Sequence, residues 1–162
     1  MVSVSRIRVP GFARQCCFLL KSDAIALVLL TTVWSIAALV VNPVGDFPLF
    51  DDWAYGFSVR SIIETGGLRI SGWTATNLIM QIPWGVLFCL PLGFSFTALR
   101  VSTLVLGLIG AIATFGLLRE VRAPTSLALL GSLALAFSPI YFGLSFTFMT
   151  DVPFTAIATA SS

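Results

Sequence analysis

Apolar residues gather along this chain in long runs that carry almost no charge. Three are long enough to cross a bilayer as helices, which takes about 20 apolar residues. They are residues 23–41, residues 98–118 and a stretch within the uncharged segment 123–150, taken as 125–147. Each such helix satisfies its backbone hydrogen bonds internally, as hydrocarbon demands. A fourth apolar run, 77–96, is different, because Gln81, Pro83, Gly85, Pro91 and Gly93 interrupt it. Prolines and glycines at that density break a helix into short pieces. Charge placement points the same way. If 77–96 does not span, six of the nine basic residues (Arg6, Arg8, Arg14, Lys21, Arg119, Arg122) lie inside, and Arg60, Arg69 and Arg100 lie outside. If it spans, the division is five to four.

The expected fold is therefore all-α, a polytopic transmembrane helical bundle. A cytoplasmic basic N-terminus (1–22) leads to the first span (23–41). A long external segment (42–97) follows, with juxtamembrane or re-entrant helices, one of them from Asp52 to about Thr65. The second span (98–118) returns to a basic turn (119–124), and the third (125–147) leads out again. A further helix starts near Val152, within 148–162. Its residues are too few to cross a bilayer, so the chain is expected to be a piece of a longer protein.

Composition agrees. Of 162 residues, 57% are hydrophobic and 10% charged, too few polar groups to cover a water-soluble surface. A net charge of +2, with no basic run interleaved with aromatics, argues against nucleic acid as a partner. The run after Lys21 is long for a signal peptide and ends in Val-Val-Asn-Pro, which reads as an uncleaved anchor. Histidine is absent, and Cys16, Cys17 and Cys89 have no metal-ligand spacing, so neither a structural zinc site nor a thioredoxin-like centre is expected; no metal and no cofactor is assigned, although the adjacent Asp51 and Asp52 could attract a cation. P-loop and dinucleotide-binding motifs are also missing.

Few acids remain to carry chemistry. Asp23 and Glu120 flank spans and read as structural, and Glu64 can pair with Arg60 one helical turn away. Asp51 and Asp52 lie among apolar residues in Phe50-Asp51-Asp52-Trp53-Ala54-Tyr55. One reading is helix capping by Asp51, with Asp52 in the first turn. The other is a general base at the membrane surface that takes a proton from a hydroxyl. Asp151, in Thr150-Asp151-Val152-Pro153, reads either as a first-turn acid behind a capping Thr150 or as a second functional acid facing the same external cavity. Arg100 either reaches to the interface or pairs with a lipid phosphate or with the acids. Trp53, Tyr55, Trp73 and Trp84 read as an interfacial belt, with sugar stacking as the alternative.

Taken together, these residues resemble the glycosyltransferase family 39 group of GT-C membrane enzymes, which includes protein O-mannosyltransferases and aminoarabinose transferases. The likeness rests on the order of the motifs from about Ala24 to Ala158. These are the acidic pair Asp51-Asp52 with its aromatics, a juxtamembrane helix Arg60-Ser-Ile-Ile-Glu-Thr-Gly66, the approach Gly93-Phe-Ser95-Phe-Thr-Ala98-Leu-Arg100, and Thr150-Asp151-Val152-Pro153. Where the family often has His-Pro-Pro-Leu, this chain has Gln81-Ile82-Pro83-Trp84.

The resemblance implies transfer of a sugar from a polyprenyl-phosphate donor to a hydroxyl of a lipid, glycan or protein acceptor. The reaction would take place at the outer face of a bacterial inner membrane. It implies Asp51 as base, Asp52 and Asp151 orienting acceptor or base, and Arg100 and Tyr55 binding substrate. The 162-residue chain alone is expected to be inactive. The competing expectations are a transporter segment, which would place acids within spans, and a membrane protein without catalysis.

Overall fold

The computed structural model describes residues 12–74, 80–91 and 93–161, with side chains from Lys21 onward. Arg6 and Arg8 lie outside the described residues, as do the side chains of Arg14, Cys16 and Cys17. All the regular structure described is helical: α1 Phe12–Val41, α2 Asp52–Thr65, α3 Gln81–Cys89, α4 Phe96–Glu120, α5 Thr125–Ala136, α6 Pro139–Leu144 and α7 Asp151–Ala160. Two stretches, Lys21–Val41 and Phe96–Glu120, are long and apolar enough to cross a membrane.

The helices end where local chemistry ends them. Asn42 stops α1 in the left-handed region (φ 64°), its N–H bonding the Ala38 carbonyl at 3.1 Å. Gly66 does the same for α2 (φ 70°), bonding the Ile62 carbonyl at 2.9 Å. At the start of α4, Ser95 is extended and its hydroxyl accepts the Thr97 N–H at 3.2 Å. Asp46 accepts the Phe96 N–H at 2.9 Å, so the segment after α1 also caps α4. The salt bridge expected within α2 is present, Arg60 Nε to Glu64 Oε1 at 2.8 Å, and it is exposed.

Residues 125–147 do not form the single helix expected of a third span. The chain breaks between α5 and α6, because Pro139 forces the preceding Ser138 out of the helical region (φ −61°, ψ 137°). Ser138 then caps α6 by accepting the Tyr141 N–H at 3.3 Å. With 12 residues, α5 is about 18 Å long and falls short of a bilayer's hydrocarbon core. In the interrupted run 77–96, α3 has nine residues and is about 13 Å long.

α4 is the axis of the packing: α5 and α7 are its main partners, and α2 and α3 meet it near its start, at Leu99 and Ser102. Three apolar clusters stack along it: Ala26, Phe115 and Ala128 at one end, Leu30, Trp34, Leu104, Tyr141 and Val152 in the middle, and Val59, Ile82, Leu99 and Phe148 at the other. Two polar ties bracket this stack. At the first end, Asp23 takes Arg119 Nε at 3.1 Å and the Thr125 hydroxyl at 2.6 Å, joining α1, α4 and α5. At the second, Arg100 binds the chain that leaves α1. From Arg100 to Arg119 is about 28 Å along α4, with no charge between. α1 and α4 thus run antiparallel through an uncharged layer. The outer face of α1 is apolar, with Ile25, Val28, Ile36, Leu39 and Val40 exposed.

Candidate functional site

At the second end the start of α2 meets the segment that leads into α7. Asp52 is the first residue of α2 and is fully buried. Its Oδ1 accepts the N–H of Phe148 at 2.6 Å and its Oδ2 accepts the N–H of Leu49 at 3.3 Å. Each carboxylate oxygen therefore holds one backbone N–H. Burial pushes its pKa up from 3.8 to about 6, against the pull of the Phe148 and Leu49 N–H groups and of Arg100.

That raised value makes stability depend on pH. Between about pH 4 and pH 6 the folded state keeps a proton that the unfolded chain has released, so the unfolding free energy falls as pH rises through this window. The fall is roughly 3 kcal/mol, and it levels off above pH 6. Asp52→Asn does not titrate and is expected to flatten this dependence, read as the denaturation midpoint in detergent at pH 4.5, 5.5 and 7. An unchanged slope in the variant would remove Asp52 as its source.

Asp51 is exposed and holds the N-cap position of α2, but its side chain makes no capping bond, contrary to the capping reading. The start of α2 is tied down instead by the Asp51 carbonyl, which accepts the Ala54 N–H at 2.9 Å, and by the carboxylate of Asp52. Phe50 precedes Asp51 in the left-handed region (φ 53°), a strained conformation for a bulky residue. The chain there presents Phe50 and Asp51 outward while turning Asp52 in.

Arg100 neither reaches outward nor faces an open site. It is 2% exposed, and its guanidinium lies over the Phe47 ring at 4.6 Å. It donates to the carbonyls of Gly45 at 2.9 Å, Pro43 at 3.3 Å and Phe47. The planar fork binds a bent stretch of backbone, which an apolar side chain could not do. Its part in this structure is to hold residues 43–47 in place. Tyr55 is partly buried and packs on the cluster around Val59 and Leu99. Trp53 and Trp73 form an exposed pair with ring centroids 6.3 Å apart. Trp84 does not join a belt; it turns inward and donates to the Ser102 carbonyl at 2.9 Å.

Asp151 is the exposed first residue of α7, and Thr150, helical at φ −77°, makes no side-chain cap bond. The Asp151 side chain borders a cavity of about 210 Å³ with Leu135, Ser138, Ile140, Tyr141, Leu144, Val152 and Thr155. Asp51 is not among the residues lining it. The structure thus joins the two acidic motifs through the bond from Phe148 to Asp52, while the free carboxylates of Asp51 and Asp151 open from the starts of two different helices. Among the described residues, no group of three or more acids or cysteines is placed to hold a metal. Cys89 is buried, and burial raises its thiol pKa.

Two residues of this neighbourhood have tertiary roles that the sequence does not assign them. Asp46 links the outer segment to α4, and Gln81 donates to the carbonyls of Phe148 and Met149. The available signal for Gln81 was a lone amide at the head of an otherwise apolar run. No family model, curated protein or solved structure matches the chain.

Proposed function

We propose that this chain forms part of a multi-pass GT-C glycosyltransferase, similar to glycosyltransferase family 39, with its active site at the outer face of a bacterial inner membrane. The observation that supports this most is the buried carboxylate of Asp52. By accepting the Phe148 N–H it brings the Asp51-Asp52 motif and the segment leading to Asp151 to one end of the two long apolar helices. A transferase acting on a lipid-linked donor needs its acids at the edge of the hydrocarbon, where a carrier phosphate meets water.

The exposed Asp51 is the base. Its carboxylate takes the proton of the acceptor hydroxyl as that oxygen attacks the anomeric carbon of the donor sugar. The bond from the anomeric carbon to the carrier phosphate breaks, and polyprenyl phosphate leaves with the electron pair. Asp52 is fully buried and out of reach of substrate; by holding the N–H groups of Leu49 and Phe148 it fixes the turn that exposes Asp51. Asp151 orients the acceptor. Arg100 shapes the outer segment, and the donor phosphate is left to groups beyond those named here.

Membranes carrying the protein at its full natural length should convert a radiolabelled polyprenyl-phosphate hexose or pentose to free polyprenyl phosphate and labelled acceptor. Equal turnover in membranes lacking the protein would contradict the proposal. A non-catalytic membrane protein with the same fold would give that second result.

A further inference from the structure

Gln81 occupies the first turn of α3 and is buried, at 3% exposure. Its Nε2 donates to the Phe148 carbonyl at 3.0 Å and to the Met149 carbonyl at 3.3 Å. The N–H of the same Phe148 goes to Asp52 at 2.6 Å. The ring of Phe148, 1% exposed, lies against Gly85, and a Cβ placed there would be 2.6 Å from its tip. Residue 148 is therefore held through its N–H by α2, through its carbonyl by α3, and through its ring by the cluster of Val59 and Leu99. α7 starts three residues later at Asp151, a tether of at most about 11 Å.

We propose that Gln81 is a positioning residue: with Asp52 it clamps the peptide at Phe148 and so sets where Asp151 stands relative to Asp51. The chemistry of the position is specific. An apolar side chain would leave a buried carbonyl without its donor. An ionised carboxylate would face two carbonyl oxygens with nothing to donate, whereas a protonated one could donate to one of them. The charged groups bordering the clamp are Asp52 with its neighbour Asp51 on the α2 side and Arg100 on α4; Asp151 follows three residues along the chain, on α7. The functional half of this inference rests on the reading of Asp51 and Asp151 as parts of one transfer site; the structural half stands without it.

The test uses the full-length protein with Cys16, Cys17 and Cys89 replaced by alanine and nitroxide labels at Phe50 and Phe154, which are 78% and 63% exposed. Pulsed EPR then reads the distance between the start of α2 and the start of α7. The unsubstituted clamp should give one narrow distribution at pH 5 and pH 8. Gln81→Leu should at least double the width at both. Gln81→Glu should be narrow at pH 5 and broad at pH 8. A Gln81→Leu distribution as narrow as the parent, or a Gln81→Glu distribution that is the same at both pH values, overturns the clamp.

In the transfer assay, the rate of Gln81→Glu relative to wild type should fall at least tenfold from pH 5.5 to pH 8. Taking this ratio cancels the pH dependence of the base. A conditional EPR result in a protein that shows no transfer would sink the proposed function and leave the clamp standing. A conditional EPR result with a constant rate ratio would overturn the positioning role.

Discussion

Asp51→Asn is expected to lower sugar transfer by about 10²–10⁴-fold, the range typical of losing a general base. The fold should survive. Asp51 is exposed, its side chain makes no capping bond, and only its carbonyl holds the start of α2. Surface substitutions of that kind stay within about 0.5 kcal/mol. An amide of the same shape cannot take the hydroxyl proton, so the loss should fall on kcat. Asp52→Ala separates the roles: it strips the acceptor from two backbone N–H groups and should loosen the junction with Phe148 as well as the activity. Transfer by Asp51→Asn at more than about a tenth of the wild-type rate would remove Asp51 as the base.

The second large effect is on assembly. Gly110 lies where α4, α6 and α7 come together. A Cβ there would overlap the Tyr141 hydroxyl and lie 3.1 Å from the Cα of Ala156. The hydroxyl of Tyr141 donates to the Gly107 carbonyl at 2.9 Å, so displacing the ring also breaks that bond. Close approach through small residues is how helices pack where the surroundings are as apolar as the side chains. Gly110→Leu should therefore cost about 3–4 kcal/mol, combining overpacking with the lost hydrogen bond. Unfolding by denaturing detergent in mixed micelles measures this. Gly116→Leu on the same helix is the control, because no atom lies within 4 Å of its added Cβ. Equal effects at the two positions would show that packing against Tyr141 and Ala156 is not what holds α7.

The ends of α2 were legible, because an acidic pair opens it and Gly66 closes it in a conformation that suits glycine. So was the ion pair between Arg60 and Glu64, which needs only helical spacing. The break at Ser138 was not, because composition alone lets the apolar residues around it continue as a span; Pro139 was the local signal. Sequence also gives no way to tell which of two adjacent acids turns inward. Asp52 is buried because Phe148, 96 positions later, offers it a free N–H. Arg100 illustrates the same limit. Its position at the start of a long apolar helix suggests an interfacial cation, yet its partners are carbonyls more than 50 residues earlier in the chain. Local pattern fixes where helices start and stop, while the fate of a polar side chain depends on contacts that only the tertiary fold creates.

The proposed transfer site requires the two acidic motifs to share one membrane face. Single cysteines at Asp51, Val121 and Asp151, placed in turn in a protein without Cys16, Cys17 and Cys89, would be treated in intact cells with a membrane-impermeant thiol reagent. Labelling is expected at Asp51 and Asp151 in intact cells, and at Val121, exposed in the turn after α4, only after permeabilisation. Labelling of the Asp151 position only after permeabilisation would put the two acids on opposite faces and rule out a shared site.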